Sequence, residues 1–351
     1  VILNLVGSAI FLIAIGAIYA ATGTLNLADL AVKAAAAGSE QTGLLRTGGL
    51  LLVVEFALKA ALMPLGFWLP PAYAAATAPA AALVAIMTQV GVYAILRVHG
   101  LVFGPDAGAT ASLLSPWLLP IGLLTVVVAT LGVLASRELR RLLAHLVVLS
   151  AGTLILTLGL DSEVATSAAL YYALNSTLVG GGLFLLADLI AHERGVAQVS
   201  LDREQAVARP ALLGTLFFIG AIGVAGLPPL AGFAAKLYIL QIAYLHTAAS
   251  WVFSVILLSG LLVIIALSRA GSALFWRTGE TNALVPPTQH THITPSAILI
   301  ASAAVLVIVA APMESFTSET AAQLLDPDAY VQAVLANDGV STPASFASTK
   351  Q

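Results

Sequence analysis

Cysteine is absent from the 351 residues, so the chain holds no disulfide, no thiolate zinc site, no iron–sulfur ligation and no cysteine nucleophile. Charge is nearly as scarce. Only 9% of residues are charged against 60% hydrophobic, too little polar surface for a water-soluble domain of this size. The 17 acids and 14 bases leave a net charge of -3 and sit in short stretches between apolar runs, so no basic patch for nucleic acid forms. The sequence also lacks a phosphate-cradling glycine loop, a nucleotide fingerprint and a hydrolytic triad. These absences point away from an enzyme and imply no cofactor. Energy must come from an ion gradient or from partner subunits, and the solvent left for the chain is a lipid bilayer.

What is present is a succession of long apolar runs, near 1–21, 47–69, 79–103, 115–135, 139–160, 164–191, 211–244, 250–276 and 293–312. A helix needs roughly 20 apolar residues to cross the hydrocarbon core, and these lengths suit helices, not the short alternating strands of a barrel. The sequence predicts an all-α integral membrane protein of about nine transmembrane helices. The run from Val1 to Ala21 has neither the basic leader nor the cleavage site of a signal peptide, and a chain opening on Val1 is expected to be preceded by further helices.

Loop charge sets the expected orientation, because basic residues favour the cytoplasmic side. Arg137, Arg140 and Arg141 follow the fourth run, Arg194, Arg203 and Arg209 the sixth, and Arg277 the eighth; the alternate connections carry Asp106, then Asp161 with Glu163, then His246, then the acidic tail. Residues 1–313 read as the transmembrane domain. Residues 314–351 read as a short amphipathic segment around Ala321 to Leu335, followed by a disordered end from Asn337 to Gln351.

Two lysines lie deep in apolar runs, Lys59 in the second and Lys236 in the seventh. An ammonium at that depth costs at least about 2.5–3.5 kcal/mol, so it faces a partner or water and marks a pathway. Both lie near prolines: Pro64 follows Lys59, and the pair Pro228 and Pro229 precedes Lys236. A proline removes a backbone donor and leaves carbonyls free, near Ala60 in one run and near Val224 and Ala225 in the other. Two Pro-interrupted helices far apart in sequence are the pattern of inverted repeats with a site at the midplane. Glu55 precedes Lys59 by one helical turn, the favourable order for an ion pair. Weaker polar signals inside the runs are Gln89, His145, Ser150 and Asn175 with Ser176 and Thr177. Gly180 to Gly182 reads as a site of close helix packing. His290 and His292 flank a threonine in a polar loop, where a metal role is the weaker reading.

The stretch Lys59 to Pro70, with Tyr73-Ala74-Ala75-Ala76 and Ala78-Pro79, resembles the signature of the antiporter-like membrane subunits shared by respiratory complex I and the multisubunit Mrp-type cation/proton antiporters. So does Gly226 to Phe233 with Lys236. Thr22 to Leu30, Gly91 to Arg97, Leu183 to Asp188 and Ala321 to Asp326 add to the match, which is nearest to the D-type subunits of the Mrp and Pha branches. The resemblance implies a fourteen-span subunit with two inverted five-helix repeats, of which this chain holds the last nine. It implies that Lys59 accepts protons in the first half-channel, opposite an upstream glutamate, and that Lys236 ends the polar axis in the second. The family pattern has a lysine at Gln89, a histidine at Asn175 and a tyrosine at His145. An amide at Gln89 orders water without holding a proton.

The reading that follows is a subunit of a bacterial inner-membrane antiporter, assembled with other antiporter subunits, that moves protons along a hydrated axis from Lys59 past Gln89, His145 and Asn175 to Lys236, in exchange for K+ or Na+. Two alternatives stay open: a proton-translocating subunit of a complex I-like or hydrogenase assembly, and a non-conducting scaffold.

Overall fold

The computed structural model describes residues 2–195, 198–203, 205–276 and 293–335. Among them the chain is helical throughout, and its one β-type contact is an isolated bridge between Glu138 and Ser200. In chain order the helices are α1 (Ile2–Thr22), α2 (Leu27–Ala35), α3 (Ser39–Lys59), α4 (Leu69–Ala75), α5 (Ala78–Leu101), α6 (Ser115–Ala135), α7 (Leu139–Leu158) and α8 (Glu163–Arg194). They continue as α9 (Pro210–Ala225), α10 (Ala231–Ala243), α11 (Ala249–Phe275), α12 (Thr294–Ile308), α13 (Ala310–Leu324) and α14 (Pro327–Leu335).

Seven of these, α1, α3, α5, α6, α7, α8 and α11, are long and apolar enough to cross a membrane, and α12 with α13 makes an eighth candidate if the bent pair is one span. The expected seventh, the run 211–244, is two shorter helices, α9 and α10, interrupted at 226–230. The second run likewise stops at Lys59 and resumes through a 3-10 turn at Leu65–Trp68 into α4. The run expected at 293–312 ends early. Pro312 has no N–H to offer the Ile308 carbonyl and its ring would strike that oxygen, so α12 stops at Ile308 and the chain turns by 87° into α13. Arg277, His290, His292 and the stretch from Asn337 to Gln351 lie outside the described residues.

Helix α7 is the axis of the bundle, with every residue from Leu146 to Leu158 buried. Small residues let α6 approach it closely: Gly122 faces the backbone of Leu156, Gly152 faces Thr125, and a side chain on either would collide. The arginine-bearing loops gather at one end. Leu139 N–H donates to the Val199 carbonyl at 3.0 Å and Leu201 N–H to that of Arg137 at 2.9 Å, joining the two loops. Arg194, fully buried, donates to the carbonyls of Gln198, Ser200, Arg203 and Gln205 over 2.5–3.1 Å and so holds that loop closed. Arg140 pairs with Asp188 at 2.6 Å across α7 and α8.

The opposite end is acidic. There Asp161 lies 3.7 Å from buried His99 and accepts a hydrogen bond from Ser115 at 3.3 Å. The imidazole of His99 beside it holds the Asp161 carboxyl below the usual carboxylate range, against an opposing push from burial. Helix α14 lies against α2, where Val331 and Leu335 bury against Ala28, and Arg97 stacks 4.7 Å over the Tyr330 ring.

Candidate functional site: a polar layer between two apolar clusters

The buried apolar side chains fall into two large clusters, one toward the arginine end and one toward the acidic end. Three long central helices, α5, α7 and α8, pass from one to the other with the boundary at a polar residue. On α5 it lies between Ala85 and Val92, bracketing Gln89; on α7 between Leu149 and Ala151, at Ser150; on α8 between Tyr172 and Val179, bracketing Asn175. The break in the seventh run lies on the same boundary, since Ala225 belongs to one cluster and Ala231 to the other. So does the break after α3, where Leu62 and Met63 fall on opposite sides. A polar layer therefore crosses the bundle where apolar packing is interrupted.

A narrow cavity of about 20 Å³ in this layer is lined by Gln89, Ser150, Tyr172, Asn175, Ser176 and Val224 among others. That is room on the order of a single water. Gln89 Nε2 donates to Ser150 Oγ at 3.0 Å, and Asn175 Nδ2 to the Gly223 carbonyl at 3.3 Å. Gln89 Oε1 and Asn175 Oδ1 are buried with no protein donor. Two orphaned acceptors beside one small cavity are the environment of an ordered water.

The two helix breaks satisfy their free carbonyls in different ways. At the end of α9, the Ile222 carbonyl accepts from the N–H groups of Gly226 and Leu227, at 3.0 and 3.1 Å, as Gly226 turns left-handed at φ 78. Asn175 takes Gly223, and Lys236 Nζ takes Ala225 at 2.7 Å. The side chain of Lys236 thus runs back from α10 to the broken end of α9. Gly232 is required where α10 leaves the break, because a Cβ there would meet the Gly223 carbonyl. After α3, the Leu58 carbonyl is taken by the Trp68 indole N–H at 3.0 Å, and Met63 N–H donates to Thr125 Oγ1 at 3.0 Å. Lys59 is left to turn elsewhere, donating to Asn4 Oδ1 at 2.6 Å with Glu55, 4% exposed, at 3.7 Å.

The structure brings Gln89 and Asn175 to one cavity and Asn175 and Lys236 to one helix end. It keeps Lys59 with Glu55 as a separate group. His145 is not in the cavity: its ring lies against Gly132 on the α6 side of α7, with Nδ1 buried and unbonded. Pro64, Pro228 and Pro229 all lie within the breaks. Sequence reasoning missed Asn4, although a lone amide in the apolar run of α1 was its signal, and it missed Trp68 and Thr125 as the groups that close the first break. Among the described residues no cluster of three metal-ligating side chains occurs.

Residues 1–264 match the family described as NADH:quinone oxidoreductase/Mrp antiporter, TM. Among curated relatives, the D-type subunit of a probable K+/H+ antiporter of Rhizobium meliloti is 38% identical over 95% of this chain and 66% of its own length. The D-type subunit of a Na+/H+ antiporter of Bacillus subtilis is 34% identical over 95% of this chain and 67% of its own. The chain thus spans about two thirds of the length of these relatives. Among solved structures, the Mrp complex of Dietzia sp. DQ12-45-1b aligns with a TM-score of 0.82 at 24% identity, over 95% of this chain and 68% of that one. Respiratory complex I of Thermus thermophilus aligns at 0.74 and 24%, over 92% and 68%, and these two likenesses speak to the fold. With three quarters of its length inside the family match and its two lysine-bearing breaks in place, the chain belongs to the NADH:quinone oxidoreductase/Mrp antiporter transmembrane family.

Proposed function

We propose that this chain is part of a proton-conducting subunit of a monovalent cation/proton antiporter in the bacterial plasma membrane, working with other antiporter subunits and exchanging K+ or Na+. The observation that carries the reading is the polar layer between the two apolar clusters, with an ammonium at each helix break and two orphaned amide oxygens between them. Bilayer-spanning helices do not accumulate such groups at one depth without water or ions to serve. Counting α9 with α10 as one broken span and α12, up to its bend, as another gives nine spans, and the basic residues favour the cytoplasmic side for the arginine loops.

In this reading Lys59, held by Glu55 and Asn4, receives protons at one end of the layer. Gln89, Ser150 and Asn175 order the water between, and Lys236 passes protons on at the other end. His145, one turn toward the arginine end, faces α6 beside the layer and serves as a lateral relay. The identity to antiporter subunits favours exchange driven by the proton gradient over redox-driven pumping, and a purified complex free of flavin and iron–sulfur clusters is the outcome expected. The test is cation-induced proton release from everted vesicles carrying the full-length protein in its complex. Lys236→Ala is expected to abolish it with normal assembly, and a near-normal rate would overturn the reading.

A further inference from the structure

The polar layer needs a way out to the acidic end, and one face of α8 runs in that direction. Counting back from Asn175 by one turn each gives Tyr171, then Ser167, then Glu163 at the start of the helix. From Asn175 to Ser167 this row covers roughly 12 Å, at 1.5 Å of rise per residue. Tyr171 is buried and packs edge-on against Tyr238 of α10, ring centroids 6.1 Å apart, two residues beyond Lys236. Its hydroxyl donates to the Leu306 carbonyl at 3.1 Å, in the last turn of α12.

Just below, a cavity of about 170 Å³ is lined by Ser167, Tyr171, Tyr238, Gln241, Glu314 and Thr317 among others. Tyr238 donates to Glu314 Oε2 at 3.2 Å and Ser167 to Thr317 Oγ1 at 3.0 Å. Glu314 and Thr317 reach this place because of the turn at Pro312. Past the 87° bend, α13 packs against α8, and its Glu314 meets Tyr238 of α10 and lines the cavity. Glu314 and Gln241 are exposed, whereas Tyr171 and Ser167 are buried, so the cavity opens at its carboxylate end.

We infer that this cavity is the outer port of the proton path, with Glu314 as its terminal proton-accepting group and Tyr238 as the residue that positions the carboxylate. The inference rests on the proposed function and names where protons leave or enter at the acidic end. A proton arriving by water from the Lys236 end bonds to a Glu314 oxygen and is released from it to bulk water, with no other bond made or broken. A cation lane through the same cavity is not the occupant favoured, because only one carboxylate lines it.

The test uses the full-length protein in its native complex. Glu314→Gln is expected to slow cation-driven proton release at least about tenfold, as loss of a proton-transfer group does, with Glu314→Asp restoring most of it. Gln241→Cys places a labelling site in the port lining, and the same complex without this substitution gives the background labelling. A membrane-impermeant thiosulfonate is expected to modify it from the acidic side only and to block transport. Modification without effect, modification only from the other side, no modification, or a wild-type rate for Glu314→Gln would each overturn the port. Lys236→Ala in the same vesicles separates the two ideas. If Lys236→Ala is inactive while the port variants run normally, the port falls and the proposed function stands. If Lys236→Ala runs normally, the proposed function falls and the port with it.

Discussion

Asn175 and Lys236 bond to carbonyls two residues apart on one broken helix end, Asn175 to Gly223 at 3.3 Å and Lys236 to Ala225 at 2.7 Å. A helix terminus leaves four carbonyls without intrahelical partners, and in lipid no bulk water is there to take them. Two side chains from different helices do so, which ties the position of α10 and α8 to the end of α9. The arrangement also sets a positive group at the negative end of a helix dipole, where it is favoured.

Lys236→Arg should keep that bond and the charge while losing proton transfer, because a guanidinium does not release its proton in this range. Normal assembly with antiport reduced at least about a hundredfold is expected. A rate near wild type would mean that Lys236 acts only as a fixed charge.

Gln89→Leu removes the donor to Ser150 and one of the two orphaned acceptors that line the cavity. Antiport should slow about tenfold, whereas Gln89→Lys should be tolerated. Cation-induced proton release from vesicles carrying each variant checks this, and equal rates for wild type and Gln89→Leu would remove the ordered water from the path.

Gly232→Ala places a methyl against the Gly223 carbonyl, so α10 must shift away from α9. The overpacking should lower stability by about 1–3 kcal/mol and weaken the hold of Asn175 on that carbonyl. Thermal unfolding of the purified complex measures the first effect. Gly260→Ala on α11, which meets nothing within 4 Å, is the matched control and should change neither stability nor transport.

Asp161 has its carboxyl held below the usual range by the neighbouring His99 imidazole, and less by the hydrogen bond from Ser115, against the opposing effect of burial. A carboxyl lowered on folding stabilises the fold above its unfolded value of about 3.9, and that contribution disappears as pH falls through the lowered value. The side chain is 60% exposed, so solvent limits the contribution to about 1 kcal/mol or less. Asp161→Asn should therefore lower the unfolding temperature slightly at neutral pH, and the difference from wild type should close in acid. A difference that widens in acid would contradict this.

Much of the architecture is legible in the amino-acid order because a bilayer demands length and apolarity together. Six of the seven long spans follow runs read directly, and the prolines at 64, 228 and 229 announce both breaks. Lys59 and Lys236 stand out because an ammonium in such a run has few explanations. The partners of these groups were not legible. Trp68, Thr125 and Asn4 are ordinary residues locally, and only folding brings them to a free carbonyl, a free N–H and an ammonium. His145 faces away from the cavity because its side of α7 is the face that also carries Gly152, packed on α6. The bend before α13 had a visible cause in Pro312, yet hydrophobicity continues across it and masks the turn.

The two helix breaks are closed by different chemistry, a neutral indole in one and an ammonium in the other, and this makes them respond differently to voltage. Around Lys59 the Glu55 carboxylate sits 3.7 Å away, so the pair carries little net charge for a field to act on. Lys236 answers only to a carbonyl, and no ion pair to it occurs among the described residues. An elementary charge moved across the whole membrane is worth about 2.3 kcal/mol per 100 mV, and a charge held partway across takes a share of that. In the proposed path, then, a protonated Lys236 is the charge on which a membrane potential acts more strongly than on the paired Lys59.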